Sequence, residues 1–331
     1  MRLLKNSYLV FYLILVFTAC TREVDIAVPD YKKKPVINGL FNSDSLFDLS
    51  IRESNTFDYL ENAEIKLFRD DSFLMKFDYT GQGKYRCSYH PKSKQNYSIE
   101  ARFDDYEVVY ANDYMPQKIP IIQLEYEDSA GINSNQIVYS QVKVRFKDPG
   151  EEINYYECFV YEKYDTAFIE IDTNRLFSSA DTTLDINLDS LKNELHQYYG
   201  KLRINSSDPA IAREVSYSDP GYFKIDQKEL FFSDRYFNGK QLTFRINLLP
   251  SYYQFCQIKK RYFVVYLRSI SKNYYLYEKQ KFAHNQYEAA QLWKNPADFV
   301  RLHSNVENGY GLFAGYSQSV DTIKVINNVD Y

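Results

Sequence analysis

Cys20 is the residue of this 331-residue chain whose immediate neighbours define a chemistry. It closes the run Val16-Phe17-Thr18-Ala19-Cys20, in which two small residues precede a thiol. Arg2 and Lys5 supply a cationic start, and residues 8–17 are unbroken apolar or aromatic. That three-part order is an export signal with its cleavage site. A cysteine directly after the small pair is where a bacterial lipoprotein is cut and fatty-acylated. Phe17 stands where leucine is usual; the rest of the pattern is intact. The apolar run is shorter than the roughly 20 residues that cross a bilayer. Residues 1–19 are therefore expected to be a lipoprotein signal peptide, with Cys20 as the lipidated residue and membrane lipid as its first partner. Two or more acyl chains anchor stably, at about 0.8 kcal/mol per buried methylene. Thr21 is not the Asp that often holds lipoproteins at the inner membrane, so the outer membrane is the expected address. Which of its faces is occupied stays open.

Other reactive side chains are scattered. His90, His196, His284 and His303 show no metal-ligand spacing, and neither H-E-x-x-H nor G-x-S-x-G occurs. Phosphate loops are missing too, so no metal and no cofactor are expected. The histidines read as isolated surface or boundary residues. The acid pairs Asp70-Asp71, Asp104-Asp105 and Glu151-Glu152 fall at turn positions, and solvated loop tips account for them. Asp148–Asn154 has the look of a loop able to hold a cation, but Pro149 and Gly150 already explain it as a turn. Net charge is −4 with no basic block, which excludes a nucleic-acid binder. Beyond Cys20 there remain Cys87, Cys158 and Cys256, too few for a disulfide framework. Only Cys158 and Cys256 share a predicted domain, and their pairing is left open. Tyrosine doublets at 155–156, 198–199, 252–253 and 274–275 would expose one ring each on a strand, where a sugar or a partner protein could stack. Core packing is the simpler account of them.

The elements around these residues are mostly strands. Tyr (33) and Phe (23) are abundant and Gly (11) is scarce, which favours sheet. Residues 20–34 read as a lipidated tether. Seven short alternating runs between 35 and 115 predict an immunoglobulin-like or carboxypeptidase-regulatory-like β-sandwich. Pro116 and Pro120 mark a linker over 116–120. Residues 121–331 predict a larger β-sandwich or barrel-like domain with one packed helix. Val142, Val144 and Phe146 alternate with Lys143, Arg145 and Lys147, and Arg261–Ile270 reads as a central strand. Ser271 is placed to cap a helix over about 272–293, with Ile270 stapled to Tyr275. A short helix is expected near Leu191–Tyr199, within the poorly legible stretch 168–218. The fold class is thus mainly β, in two domains.

Six stretches in this order resemble the DUF4249 family of Bacteroidota envelope lipoproteins: Cys20–Ile26, Pro35–Phe41, Glu61–Leu67, Asp148–Tyr156, Phe232–Gly239 and Ser304–Tyr316. The resemblance runs nearly end to end and is weakest over Phe168–Ser218. It implies an envelope lipoprotein acting as accessory to a TonB-dependent outer-membrane receptor in capture or uptake, with no family catalytic residues to carry over. Asp-Ser/Thr tripeptides also resemble the O-glycosylation acceptors of exported proteins in that phylum. The candidate acceptors are Ser45, Ser129, Thr166, Thr182, Ser190 and Thr322. The reading is a non-catalytic, outer-membrane-anchored lipoprotein assisting such a receptor. The alternatives are a structural or adhesive envelope module and, more remotely, a hydrolase with dispersed site residues. An exposed apolar edge strand would favour the module. A Ser and a carboxylate meeting His196, His284 or His303 in a cleft would favour the hydrolase.

Overall fold

Side chains alternate across a strand with period two, and that alternation organises the N-terminal half. In the computed structural model, which describes residues 32–56, 58–132, 136, 138–168, 195–211, 227–248, 256–291 and 302–325, the first sandwich has two sheets. One contains β1 (Pro35–Phe41), β2 (Phe47–Glu53), β5 (Asp78–Gly81) and β6 (Lys84–Cys87); the other contains β3 (Glu64–Arg69), β4 (Ser72–Lys76), β7 (Gln95–Arg102) and β8 (Val109–Met115). Ile37, Phe41, Phe47, Leu49 and Tyr85 from one sheet meet Ile65, Leu67, Tyr97 and Ile99 from the other. Each such buried side chain contributes about 1.5–3 kcal/mol. The Phe41 ring lies 4.9 Å from Phe47 and 4.7 Å from Phe313. Asp70 and Asp71 turn β3 into β4 with φ of 46° and 64°, the left-handed pair that a two-residue hairpin requires. Between β4 and β5 Phe77 dips into the core, and the chain passes from one sheet to the other there.

The second sandwich pairs a four-stranded sheet with longer strands. β9 (Ile121–Ile132), β10 (Val138–Lys147), β13 (Ile204–Asn205) and β15 (Gln241–Leu248) form the order β13-β15-β10-β9. They face β11 (Tyr155–Phe168), β12 (Leu195–Lys201), β14 (Leu230–Ser233) and β16 (Cys256–Ile270). Phe146 sits among Tyr156, Phe237 and Phe244 at 5.0, 5.8 and 6.1 Å between ring centres.

Two expectations change here, and one open question closes. Of the helix expected near Leu191–Tyr199, residues 191–194 lie outside the described residues; from Leu195 on, strand β12 stands in its place and pairs antiparallel with β11 from Tyr161 to Ala167. Its neighbouring tyrosines fall on opposite faces: Tyr198 stacks on Tyr164 and Tyr199 on Tyr161. Such cross-strand aromatic pairs stabilise a strand. Cys158 is a buried free thiol opposite Leu267, while Cys256 lies opposite Phe168. The two are about ten residues apart along the sheet, some 33 Å at ~3.3 Å per residue, too far for a disulfide. Finally, 121–331 is not wholly a second domain, because Val306 and Phe313 belong to the first core.

The reason is β18 (Tyr310–Val325). Its first part runs parallel to β1 from Val36↔Tyr310 to Phe41↔Gly315; its second part runs antiparallel to β16 from Ile270↔Tyr316 to Arg261↔Val325. One nine-stranded sheet results, in the order β12-β11-β16-β18-β1-β2-β6-β5 with β14 beside β11. A short β17 (Val306–Glu307) adds to β8. The 116–120 segment passes along this strand: the Ser317 and Ser319 hydroxyls donate to the carbonyls of Pro116 and Ile119, each at 2.6 Å. Helix α1 (Lys272–Gln291) starts where β16 ends. Tyr274 N–H donates to Ser271 Oγ at 3.2 Å, and Ile270 and Tyr275 share a small cluster with Leu312 and Ala314 on the outer face of the large sheet. The expected cap and staple are therefore both present.

Gly311 makes the β1–β18 contact sterically possible. Its φ is +112°, and a Cβ there would lie 2.0 Å from the Ile37 carbonyl oxygen. Gly311→Ala is expected to cost about 3 kcal/mol or more, since both the conformation and the main-chain approach oppose a methyl group. Gly81→Ala, at φ +101° but facing open space, should cost about 1–2 kcal/mol. Urea unfolding of both variants checks the ordering, and equal losses would contradict the close-approach account.

Candidate functional site

Period-two alternation leaves a polar row on the outer face of the large sheet. Asn38 and Leu40 point outward from β1, Asp48 and Ser50 from β2, and Lys84 and Arg86 from β6. Tyr277, Glu278 and Lys281 of α1 stand over them. Between sheet and helix lies a cleft of about 440 Å³, whose lining includes Leu312 of β18. That volume falls in the range of small-molecule sites. On the floor, Arg86 grips Asp48 through two bonds, Nε–Oδ1 at 2.6 Å and Nη2–Oδ2 at 3.1 Å. On the roof, Lys281 Nζ bonds both oxygens of Glu278 at 3.1 Å and lies 5.8 Å from the centre of the Tyr277 ring. Burial by itself would lower the Lys281 pKa; Glu278 outweighs it and holds the ammonium above its ordinary value.

Elsewhere the large sheet buries charge on the same outer face. Glu157 meets Arg268 at 3.0 Å, and the guanidinium lies over Phe159 and Tyr316 at 4.8 and 4.5 Å. Burial raises the Glu157 pKa against the pull of Arg268. These groups are held by neighbours, and they brace the sheet.

Two of the stretches singled out in the sequence meet in space. Asp148, fully buried, accepts from Gly239 N–H at 2.7 Å, Gly150 N–H at 3.1 Å and the Tyr156 hydroxyl at 2.5 Å. Asp234, equally buried, accepts at Oδ2 from the Asn154 main-chain N–H at 2.9 Å; its Oδ1 has no hydrogen-bond partner among the described residues. Burial raises the Asp234 pKa. This junction locks the 148–154 loop onto the 233–239 loop. Among the described residues no three His, Cys, Asp or Glu side chains converge as a metal-binding group.

The histidines do not share one site. His90 is exposed on the first sandwich, and His284 lies on α1. The backbone of His196 pairs with Thr166. His303 Nε2 contacts Asn273 Oδ1 at 2.9 Å, and Asn273 Nδ2 donates to Asp113 Oδ1 at 3.0 Å. Asp113 also accepts from Gly315 N–H at 3.0 Å and from Ser271. Serine, carboxylate and histidine thus gather here, but an amide separates the last two and Ser271 caps the helix. The arrangement ties β8, β18 and the start of α1 together.

Among the candidate acceptor hydroxyls, Ser129 is exposed at a left-handed position of β9 (φ 51°), Thr322 is exposed on β18, and Ser45 is half-buried in the β1–β2 turn. Thr166 lies within β11. Cys20, Thr182 and Ser190 lie outside the described residues. The cleft row Asn38, Ser50 and Lys84 was not anticipated, since each looks like an ordinary outward strand position.

The family model for DUF4249, a domain of unknown function, matches residues 21–322. The chain belongs to this family. Both loops of the Asp148–Asp234 junction, and every residue lining the cleft, fall inside the matched DUF4249 range. No curated protein matches the chain. Among solved structures it is similar to the crystal structure of a protein from Corynebacterium diphtheriae described as membrane anchored. Identity is 9%, covering 72% of this chain and 54% of that one, with a TM-score of 0.22. The chain thus spans about half the length of that protein's chain.

Asp113 gives the contact between β8, β18 and the start of α1 a pH signature. Burial, partly offset by its hydrogen bonds, lifts its pKa from the ordinary 3.8 to about 6. Between those values the folded chain holds a proton that the unfolded chain releases. The Asp113 contribution to stability is therefore full below the unfolded value and lost as pH rises through about 6. Relative to Asp113→Asn, the unaltered protein should gain up to about 3 kcal/mol of stability between pH 7 and pH 4. Denaturation at both pH values reads this out, and a constant difference would show that Asp113 does not titrate there.

Proposed function

We propose that this DUF4249 protein is an outer-membrane-anchored lipoprotein that binds a small ligand and assists a TonB-dependent receptor in its capture or uptake. The cleft between α1 and the outer face of β1, β2 and β6 carries this reading. It is lined by side chains from several elements and large enough for a small molecule. The address rests on Val16–Cys20: cleavage before Cys20 and acylation of its thiol would hold the two sandwiches on a lipid surface by residues 20–34. Among the described residues no helix is long and apolar enough to cross a membrane. No reaction is part of the proposal, and the sheet and helix would act by positioning polar groups around a bound molecule.

A structural or adhesive role is the second reading, and one observation favours it. Among the described residues β12 is an edge strand of the large sheet, and its Tyr198 and Tyr199 are 45% and 53% exposed. An edge of this kind offers main-chain hydrogen bonds and aromatic rings to another protein.

The test is co-purification of the tagged full chain from mild-detergent extracts of the outer membrane. Recovery of one TonB-dependent receptor, lost when Cys20→Ala releases the protein from the membrane, is the expected result. Recovery of the chain alone would remove the receptor from the proposal and shift weight to the adhesive module.

A further inference from the structure

Strand register puts the floor of the cleft into a single line. Asn38 of β1 lies opposite Leu312 of β18 on one side and Ser50 of β2 on the other, and Ser50 lies opposite Lys84 of β6. Directly opposed residues share a face, and all four line the cleft. The row therefore crosses four neighbouring strands, about 14 Å at ~4.8 Å per step. From one end to the other it presents an apolar side chain, an amide, a hydroxyl and an ammonium.

What is engaged and what is free then sorts the row by chemistry. The other charged residues lining the cleft neutralise one another: Asp48 with Arg86 on the floor and Glu278 with Lys281 on the roof. Lys84 has no carboxylate partner among the described residues, so the cleft holds one unbalanced positive charge. The side chains of Asn38 and Ser50 have no hydrogen-bond partner among the described residues, which leaves donors and acceptors turned to the cleft. Tyr277 of α1 and Leu312 supply apolar surface at the far end, beneath the helix.

Resting on the binding role proposed above, we infer that the cleft takes a small hydroxylated organic anion. Its single anionic group sits on Lys84, its hydroxyls meet Ser50 and Asn38, and its less polar end lies under Tyr277 against Leu312. A cationic ligand would meet the uncompensated Lys84. A fully apolar one would strip water from an amide, a hydroxyl and an ammonium without replacing those hydrogen bonds. A carboxylate and a phosphate monoester satisfy the same ammonium, so the probes must separate them.

The experiment is calorimetric titration of the full chain in detergent micelles with D-glucuronate, D-glucose 6-phosphate and D-glucose. At least one anion is expected to bind about tenfold or more tightly than glucose, because a hydrogen bond to a charged group is worth that much discrimination. Glucuronate ahead of the phosphate would name a carboxylate ligand, and the reverse a phosphate. Lys84→Gln should abolish the preference, and Lys84→Arg should retain it. Lys84 is exposed, so both variants are expected to melt with the unaltered protein. Equal binding of glucose, a preference that survives Lys84→Gln, or no binding of any probe at about 10 mM would overturn the inference. If that happens while the receptor still co-purifies, this ligand class fails and the receptor-accessory reading stands. Anion binding without receptor recovery separates the two the other way.

Discussion

The last strand has two neighbours of opposite sense, parallel to β1 and antiparallel to β16. Two hydrophobic cores that are largely separate along the chain thereby come to share one sheet. Without the β1–β18 pairing, the first sandwich would lose Phe313 from the aromatic group around Phe41 and Phe47. Further along, where β18 pairs with β16, the Ser317 and Ser319 hydroxyls satisfy two carbonyls of the 116–120 segment. The β1–β18 pairing joins segments about 270 residues apart, so its loop-closure entropy must be met before any contact forms. Glycine at 311 permits the close approach.

The same strand places the helix. Gly315 N–H binds Asp113, which also takes Asn273 and Ser271 at the start of α1. Leu312 and Ala314 pack beneath Tyr274 and Tyr275. The position of α1 over the sheet, and with it the roof of the cleft, follows from those contacts. The Asp148–Asp234 junction plays the corresponding part in the second sandwich, where two loops are held by main-chain N–H groups donating to buried carboxylates. A buried acid without such donors would be costly; Gly150 and Gly239 can supply them here because both stand at positive φ (77° and 73°) and a Cβ on Gly150 would lie 2.5 Å from the Gly239 Cα.

Local features were legible along the chain. Val142 to Phe146 announced a strand by alternation, Asp70-Asp71 a turn, and Ser271 the helix cap, because each depends on residues within a turn or two of one another. The stretch around Leu195–Lys201 was not. Its side chains suit a helix about as well as a strand, and only Tyr161 and Tyr164 on the neighbouring strand decide the matter. The cleft was invisible for a related reason. Asn38, Ser50 and Lys84 are each unremarkable outward residues until register sets them side by side.

By itself, then, the sequence determined where most strands and the helix lie, the expected lipidation at Cys20, the absence of a recognisable catalytic motif, and membership of the DUF4249 family. All of these are carried by short-range patterns or by the order of short stretches. Only the tertiary structure decided which strands are neighbours, that the C-terminal strand serves both sandwiches, and that four distant residues form the floor of one cleft. Strand pairing is a property of two segments and their register, and neither segment alone encodes its partner.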